Sequence, residues 1–167
     1  MIRLYLVRHA MNEKRGSGRS LTRRGRTRFR RVARAFAELE EPLDLICASP
    51  EPHALETARI LKSSLDHDDM VVLDELLPRA SPGLLLRALS ADAGDQDGIV
   101  LVGHKRQFQR LLASLGLRKG ELPLRKGAVL RIDLDSLSRP RVCIPRFRLR
   151  PSAGELQDAF CGLRRVA

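Results

Sequence analysis

Four short apolar runs, IRLYLV (2–7), DLICA (44–48), MVVL (70–73) and IVLV (99–102), are separated by longer stretches of helical period. Runs of this length and β-branched content read as strands, and those without polar interruption suit strands covered on both faces. Between the first two, LTRRGRTRFRRVARAFAEL places Phe29, Val32, Ala33, Phe36 and Ala37 at helical spacing behind Thr22, a candidate N-cap. A second helix is expected after Pro52, a third after Ser81 with Pro82 at its first position, and a fourth through RQFQRLLASLG, stopping at Gly116. Strands alternating with helices predict an α/β chain: one three-layer α/β/α domain over residues 1–167, with a mostly parallel central sheet. From about residue 138 the chain is rich in Arg and Pro, and an irregular or edge segment is expected there, with a short helix near 153–163.

In a parallel sheet, functional groups collect beyond the carboxyl ends of the strands. The first run ends in Arg8 and His9, the fourth in Gly103 and His104, and His53 follows the second closely. The fourth histidine, His67, lies apart in the acidic stretch DHDD. One histidine at a strand end more often satisfies a backbone group than performs chemistry. Three at one sheet edge, one of them preceded by arginine, point to a shared cleft.

Charge limits the partners. The chain carries 31 Lys and Arg against 20 Asp and Glu, a formal +11, which favours phosphorylated proteins, nucleotides, polyphosphate or other polyanions. Aromatics are 4% and tryptophan is absent, so the stacking platforms of single-strand binders are scarce and nucleic acid is not favoured. Cys47, Cys143 and Cys161 are odd in number, far apart and without CxxC spacing, which argues against a disulfide framework or a zinc site. With no run near the roughly 18 apolar residues of a membrane span and no secretory pattern at the start, the expectation is a soluble, cytoplasmic protein.

Five segments, LVRHA, SLTRRGR, ASPEPHALETA, DELLPRASPGLLLRAL and LVGHKRQF, occur in the order and approximate spacing of the histidine phosphatase superfamily, which includes the phosphoglycerate mutases. The compact length resembles the small SixA-type phosphohistidine phosphatases. The resemblance covers residues 2 to about 134. It implies a phosphoglycerate mutase-like fold and a phosphatase in which His9 attacks phosphorus, forming a phosphohistidine intermediate that water hydrolyses. Arg8 would bind the transferred phosphoryl group and His104 would hydrogen-bond it from the opposite side. Phosphoryl transfer asks mainly for positioning and for stabilisation of oxygen charge, and arginine supplies a planar donor fork for two phosphate oxygens. No cofactor and no metal is expected, since no Asp/Glu/His group in the sequence has convincing metal spacing.

The sequence departs from that family where a second phosphate-gripping arginine is usual. Here the position is His53, and the Gln that follows in the family is Glu56. Histidine in place of arginine loses a bidentate clamp and makes the remaining charge depend on pH. Arg19, in the basic loop KRGSGRS, is a candidate replacement phosphate ligand. Glu56 either faces the site, repelling an anion, or points to solvent. A general acid is not obvious: Asp74 and Glu75 are the candidates, and a labile phosphoramidate needs little help to leave. The first helix carries Arg23, Arg24, Arg26, Arg28, Arg30, Arg31 and Arg34, either a solvated face or a docking surface for an acidic protein or polyphosphate. The favoured substrate is phosphohistidine on a protein, ahead of a small phosphorylated molecule. The alternatives are a catalytically impaired member that binds phosphate or a phosphoprotein, and a basic polyanion binder.

Overall fold

A computed structural model describes residues 1–92, 96–118 and 122–149, together with the backbone of 156–158 and 164–165. The elements are β1 (Ile2–Arg8), β2 (Asn12–Arg15), β3 (Gly18–Leu21), α1 (Arg23–Ala37), β4 (Leu45–Ala48), α2 (Pro52–Leu65), β5 (Met70–Val72), a 3-10 turn (Asp74–Leu76), α3 (Pro82–Asp92), β6 (Gly98–Gly103), α4 (Lys105–Ser114), β7 (Val129–Leu134), β8 (Val142–Leu149), β9 (Leu156–Asp158) and β10 (Arg164–Arg165). The main sheet runs β10-β8-β7-β1-β6-β4-β5, with β9 also paired to β8. β1, β6, β4 and β5 are mutually parallel, β7 runs against β1, and β8 returns to the direction of β1. Five of the eight strands described in this sheet thus point one way, the mostly parallel sheet that the alternation predicts.

Side chains alternate across a pleated strand, so an unbroken apolar strand feeds two cores. Leu4, Leu6, Leu45, Cys47, Ile99 and Leu101 pack on one face with Leu85 and Leu89 of α3 and Phe108 and Leu111 of α4. Tyr5, Val7, Ile46, Ala48, Val100 and Val102 pack on the other with Phe29, Val32 and Phe36 of α1 and Leu61 of α2. This makes three layers. The expected cap forms too, with the Thr22 hydroxyl oxygen accepting from the Gly25 amide at 2.9 Å.

Three expectations need correction. The apolar run at 70–73 is an edge strand, β5, whose Val71 and Val72 are 40% and 48% exposed, so it is not covered on both faces. In the tail, residues 156–158 are strand rather than helix; the rest of the helix expected at 153–163 lies outside the described residues. β8 is also flanked on both sides, by β7 and by the two short strands, so the tail begins inside the sheet and not at its edge. Cys47 and Cys143 are buried, and burial pushes the Cys143 thiol up to about 12; Cys161 lies outside the described residues. Among the described residues, no helix is long and apolar enough to cross a membrane.

Gly25 ties α1 to the segment that follows β1. A Cβ there would overlap the Met11 carbonyl oxygen, and that same oxygen accepts from the Thr22 amide at 2.9 Å. Gly25→Ala is therefore expected to lower stability by about 1–3 kcal/mol, since overpacking outweighs the gain in helix propensity. An unchanged midpoint in chemical denaturation would show that the segment gives way freely.

Candidate active site

Strand register brings three histidines to one place. Arg8 of β1 pairs with Gly103 of β6, and the amide of His9 donates to the Gly103 carbonyl at 3.0 Å, so His9 and His104 leave adjacent parallel strands side by side. On the other flank of β6, Ala48 of β4 pairs with Val102, and the Ser49 amide donates to the Val102 carbonyl at 2.9 Å. The chain then turns into α2, whose first turn carries His53. The ring centroids lie 4.4 Å apart for His9 and His53, 5.3 Å for His9 and His104, and 5.2 Å for His53 and His104. All three side chains are buried.

Each imidazole is anchored differently. His9 Nδ1 lies 2.9 Å from the Ala10 carbonyl oxygen, which can only accept, so Nδ1 carries the proton and Nε2 keeps its lone pair. The Ser49 hydroxyl lies 3.0 Å from His104 Nε2. Thr57 braces the segment from α2, its hydroxyl donating to the His53 carbonyl at 2.7 Å and accepting from the Ala10 amide at 3.1 Å. Burial is the main reason that His9 is pushed down to about 3 and His104 to about 4, with mutual repulsion and Arg8 adding to it. His53 is also held below the ordinary imidazole range, first by burial and then by Arg19 and Lys126, against an opposing pull from Glu51. All three rings are neutral at pH 7. His53 therefore does not supply a standing positive charge in place of the usual arginine.

Fixed cations surround the rings. Arg8 donates from Nη1 to the Leu124 carbonyl at 2.9 Å, while its buried Nε has no hydrogen-bond partner among the described residues. Arg19 sits on β3 of the β2–β3 hairpin, close enough to depress both His53 and Lys126. Lys126 Nζ donates to Asn12 Oδ1 at 2.7 Å. The N-termini of α2 and α4 open at the same edge of the sheet, and helix N-termini favour anions. Neutral nucleophilic nitrogen, unsaturated guanidinium and convergent positive ends are an arrangement suited to a phosphoryl group.

Of the residues expected from the sequence, Arg8, His9, His53 and His104 come together and Arg19 borders them. Glu56 does neither of the things expected of it: it pairs with Arg26 of α1 and accepts from the Leu21 amide at 3.0 Å, bracing the hairpin and α1 against α2. Asp74 is exposed in the 3-10 turn, and Glu75 contributes its backbone carbonyl to Gln107 at 2.7 Å. Among the described residues, the carboxylate that reaches the histidines is Glu51, with Oε2 3.5 Å from His53 Nδ1. Sequence reasoning missed Glu51, Ser49 and Lys126; their only signal is proximity in the chain to a strand end. The expectation that no group has metal spacing also fails in three dimensions, because one ring nitrogen from each of His9, His53 and His104 lies within 4.8 Å of the others.

A family model, that of the histidine phosphatase superfamily (branch 1), matches residues 4–81, which hold His9, the hairpin, α1 and the His53 segment. Over that span, just under half of the chain, the sequence is similar to the histidine phosphatase superfamily. His104 lies beyond the matched residues and takes its place in the site from sheet register alone. Solved structures share the fold over most of the chain. The protein histidine phosphatase SixA complexed with tungstate has a TM-score of 0.80 at 20% identity, covering 90% of this chain and 98% of that one. A mycobacterial glucosyl-3-phosphoglycerate phosphatase complexed with VO3 has a TM-score of 0.67 at 17% identity, covering 87% and 97%. A phosphoserine phosphatase from Entamoeba histolytica in complex with 3-phosphoglyceric acid has a TM-score of 0.61 at 17% identity, covering 84% and 94%. At these identities the likeness is one of fold. No curated protein matches the chain in sequence.

Proposed function

We propose that the protein is a phosphatase that forms a covalent phosphohistidine on His9 and acts on phosphohistidine borne by a protein. The observation that carries this reading is the tautomer of His9: Nδ1–H is bound to the Ala10 carbonyl, and a buried, neutral Nε2 is left as nucleophile beside Arg8. The Nε2 lone pair attacks phosphorus, the substrate P–N bond breaks, and the leaving imidazole takes a proton from solvent. Water then attacks the phosphorus on His9, the P–Nε2 bond breaks with its electron pair returning to Nε2, and orthophosphate leaves a neutral ring. Arg8 and His104 hold the phosphoryl oxygens through both steps, while Arg19 and Lys126 supply the charge that His53 does not. A phosphoramidate leaving group needs no strong acid. The exposed Arg23, Arg24, Arg30, Arg31 and Arg34 of α1 give an acidic protein substrate a face to meet.

A second reading, an anion-binding member without turnover, is favoured by one fact: His53 stands where the family grips phosphate with arginine. Two substitutions separate the readings. His53→Arg is expected to raise kcat/KM near neutrality by roughly 10-fold through a restored bidentate contact, and Arg19→Ala to lower it by a similar factor. Steady-state kinetics on a phosphohistidine-bearing protein and on an aryl phosphate would check both. A wild type inert on both substrates yet still binding orthophosphate would favour the second reading, and Arg19→Ala without effect would remove Arg19 from the site.

A further inference from the structure

The substitution that takes a fixed cation from the pocket gives it a third nitrogen ligand. Resting on the reading of His9 as nucleophile, we propose that His9, His53 and His104 form a site for a divalent transition metal of the zinc class, and that its occupancy takes the Nε2 lone pair of His9 and so blocks phosphoryl transfer. The geometry is that of three donors from three separate elements, each ring 3–7% exposed, with one nitrogen apiece inside 4.8 Å. A tetrahedral zinc holds its nitrogens at about 2.1 Å, which sets them about 3.4 Å apart, so modest side-chain rotation closes the cluster. Three histidines with an open fourth position is an established donor set for this metal class.

Independent support comes from His53. Its Nδ1 is buried and makes no hydrogen bond among the described residues, in a side chain only 3% exposed. The Glu51 carboxylate waits 3.5 Å from that nitrogen. If His53 ligates through its other nitrogen, Nδ1–H has Glu51 to donate to, the carboxylate–histidine–metal relay that orients ligating rings. His9 is prepared in the same way, since Nδ1–H bound to the Ala10 carbonyl leaves Nε2 as the donor atom. Burial keeps the rings in their neutral, ligating form. Against a cation stand Arg8, Arg19 and Lys126, so the ion enters with an anion, hydroxide or chloride, in its fourth position.

The test uses the full chain, stripped with chelator and kept in phosphate-free buffer. Zinc is titrated by calorimetry, cobalt by its visible bands, and the histidine nitrogens are followed by 15N NMR. One ion per chain is expected, with cobalt bands of four-coordinate intensity and metal-induced shifts at one nitrogen of each of His9, His53 and His104, His67 staying unmoved. His53→Arg, which restores the residue usual in the family, is expected to weaken binding by roughly 100-fold or more, and His53→Asn serves as a second variant should the first fold poorly. No binding at micromolar metal, binding indifferent to both variants, or shifts at His67 instead would overturn the site. Zinc bound at the three rings with turnover unchanged would overturn the block. Turnover of the stripped protein is measured separately: an active protein that binds no metal refutes the site and leaves the phosphatase reading standing, whereas metal binding in an inactive protein supports the site and refutes that reading.

Discussion

His9→Gln is expected to reduce turnover by roughly 1000-fold or more on both a phosphohistidine-bearing protein and an aryl phosphate, and to abolish covalent phosphate on the chain. Glutamine keeps a polar side chain of similar reach but has no lone-pair nitrogen able to attack phosphorus. Arg8, His104 and the helix N-termini persist in the variant, so anion binding should survive with a nearly unchanged Kd. The loss would then fall on kcat and not on KM, which distinguishes a missing nucleophile from a damaged binding site. Intact mass after an alkaline quench, where phosphohistidine survives, reads the intermediate directly. A variant that keeps a tenth of wild-type turnover would place the nucleophile elsewhere. Phosphate still found on the chain would do the same.

The parts of this fold legible in the sequence are those where one strand or helix carries its own signal. β1, β4 and β6 read as buried because their apolar runs are unbroken, and the two cores they feed explain why both side-chain rows must be apolar. β7 was not legible: in VLRIDL the apolar pattern is broken by Arg131 and Asp133, whose burial depends on partners distant in the chain, Glu41 on one side and Arg146 on the other. The β2–β3 hairpin was missed for a related reason. NEKR and GRSL have no apolar face, and they pair with each other across Gly16, at φ 57°, and Ser17 as a separate two-stranded sheet. β5 erred the other way, an apolar run at the sheet edge, because a short run cannot report how many neighbours it will have.

The site divides along the same line. Arg8, His9 and His104 were legible because each sits where a strand ends, and the chemistry of a strand end is local to its own few residues. Glu56 was not, because its role is set by contact with Arg26 and the Leu21 amide, which the packing of α2 on α1 and β3 decides. Lys126 reaches the pocket from the segment before β7, and nothing in RKG distinguishes it from other basic loops of a chain at +11. The three-histidine cluster defeats any spacing rule, since positions 9, 53 and 104 meet through strand order β1-β6-β4.

That cluster should also make the protein acid-sensitive. His9 is pushed down to about 3 and His104 to about 4 in the folded chain, both mainly by burial, while an unfolded histidine titrates near 6.5. Below about pH 6.5 the unfolded state therefore binds more protons than the folded one. The stability due to the neutral rings is complete above that pH and is lost as pH falls through the range down to about 3. For His9 the loss approaches roughly 5 kcal/mol at its limit, comparable with the whole stability of many domains. Denaturation midpoints taken from about pH 7 to about pH 4, with chelator present because a bound metal would compete with protons for the same nitrogens, should fall steeply for the wild type and less so for His9→Gln. Carboxylates contribute to both curves, Asp135 among them, held below its ordinary value first by the Val142 amide. The difference between the slopes isolates the imidazole. Parallel slopes would mean that His9 accepts its proton as easily folded as unfolded, and the buried, neutral nucleophile on which the phosphatase reading depends would be lost with it.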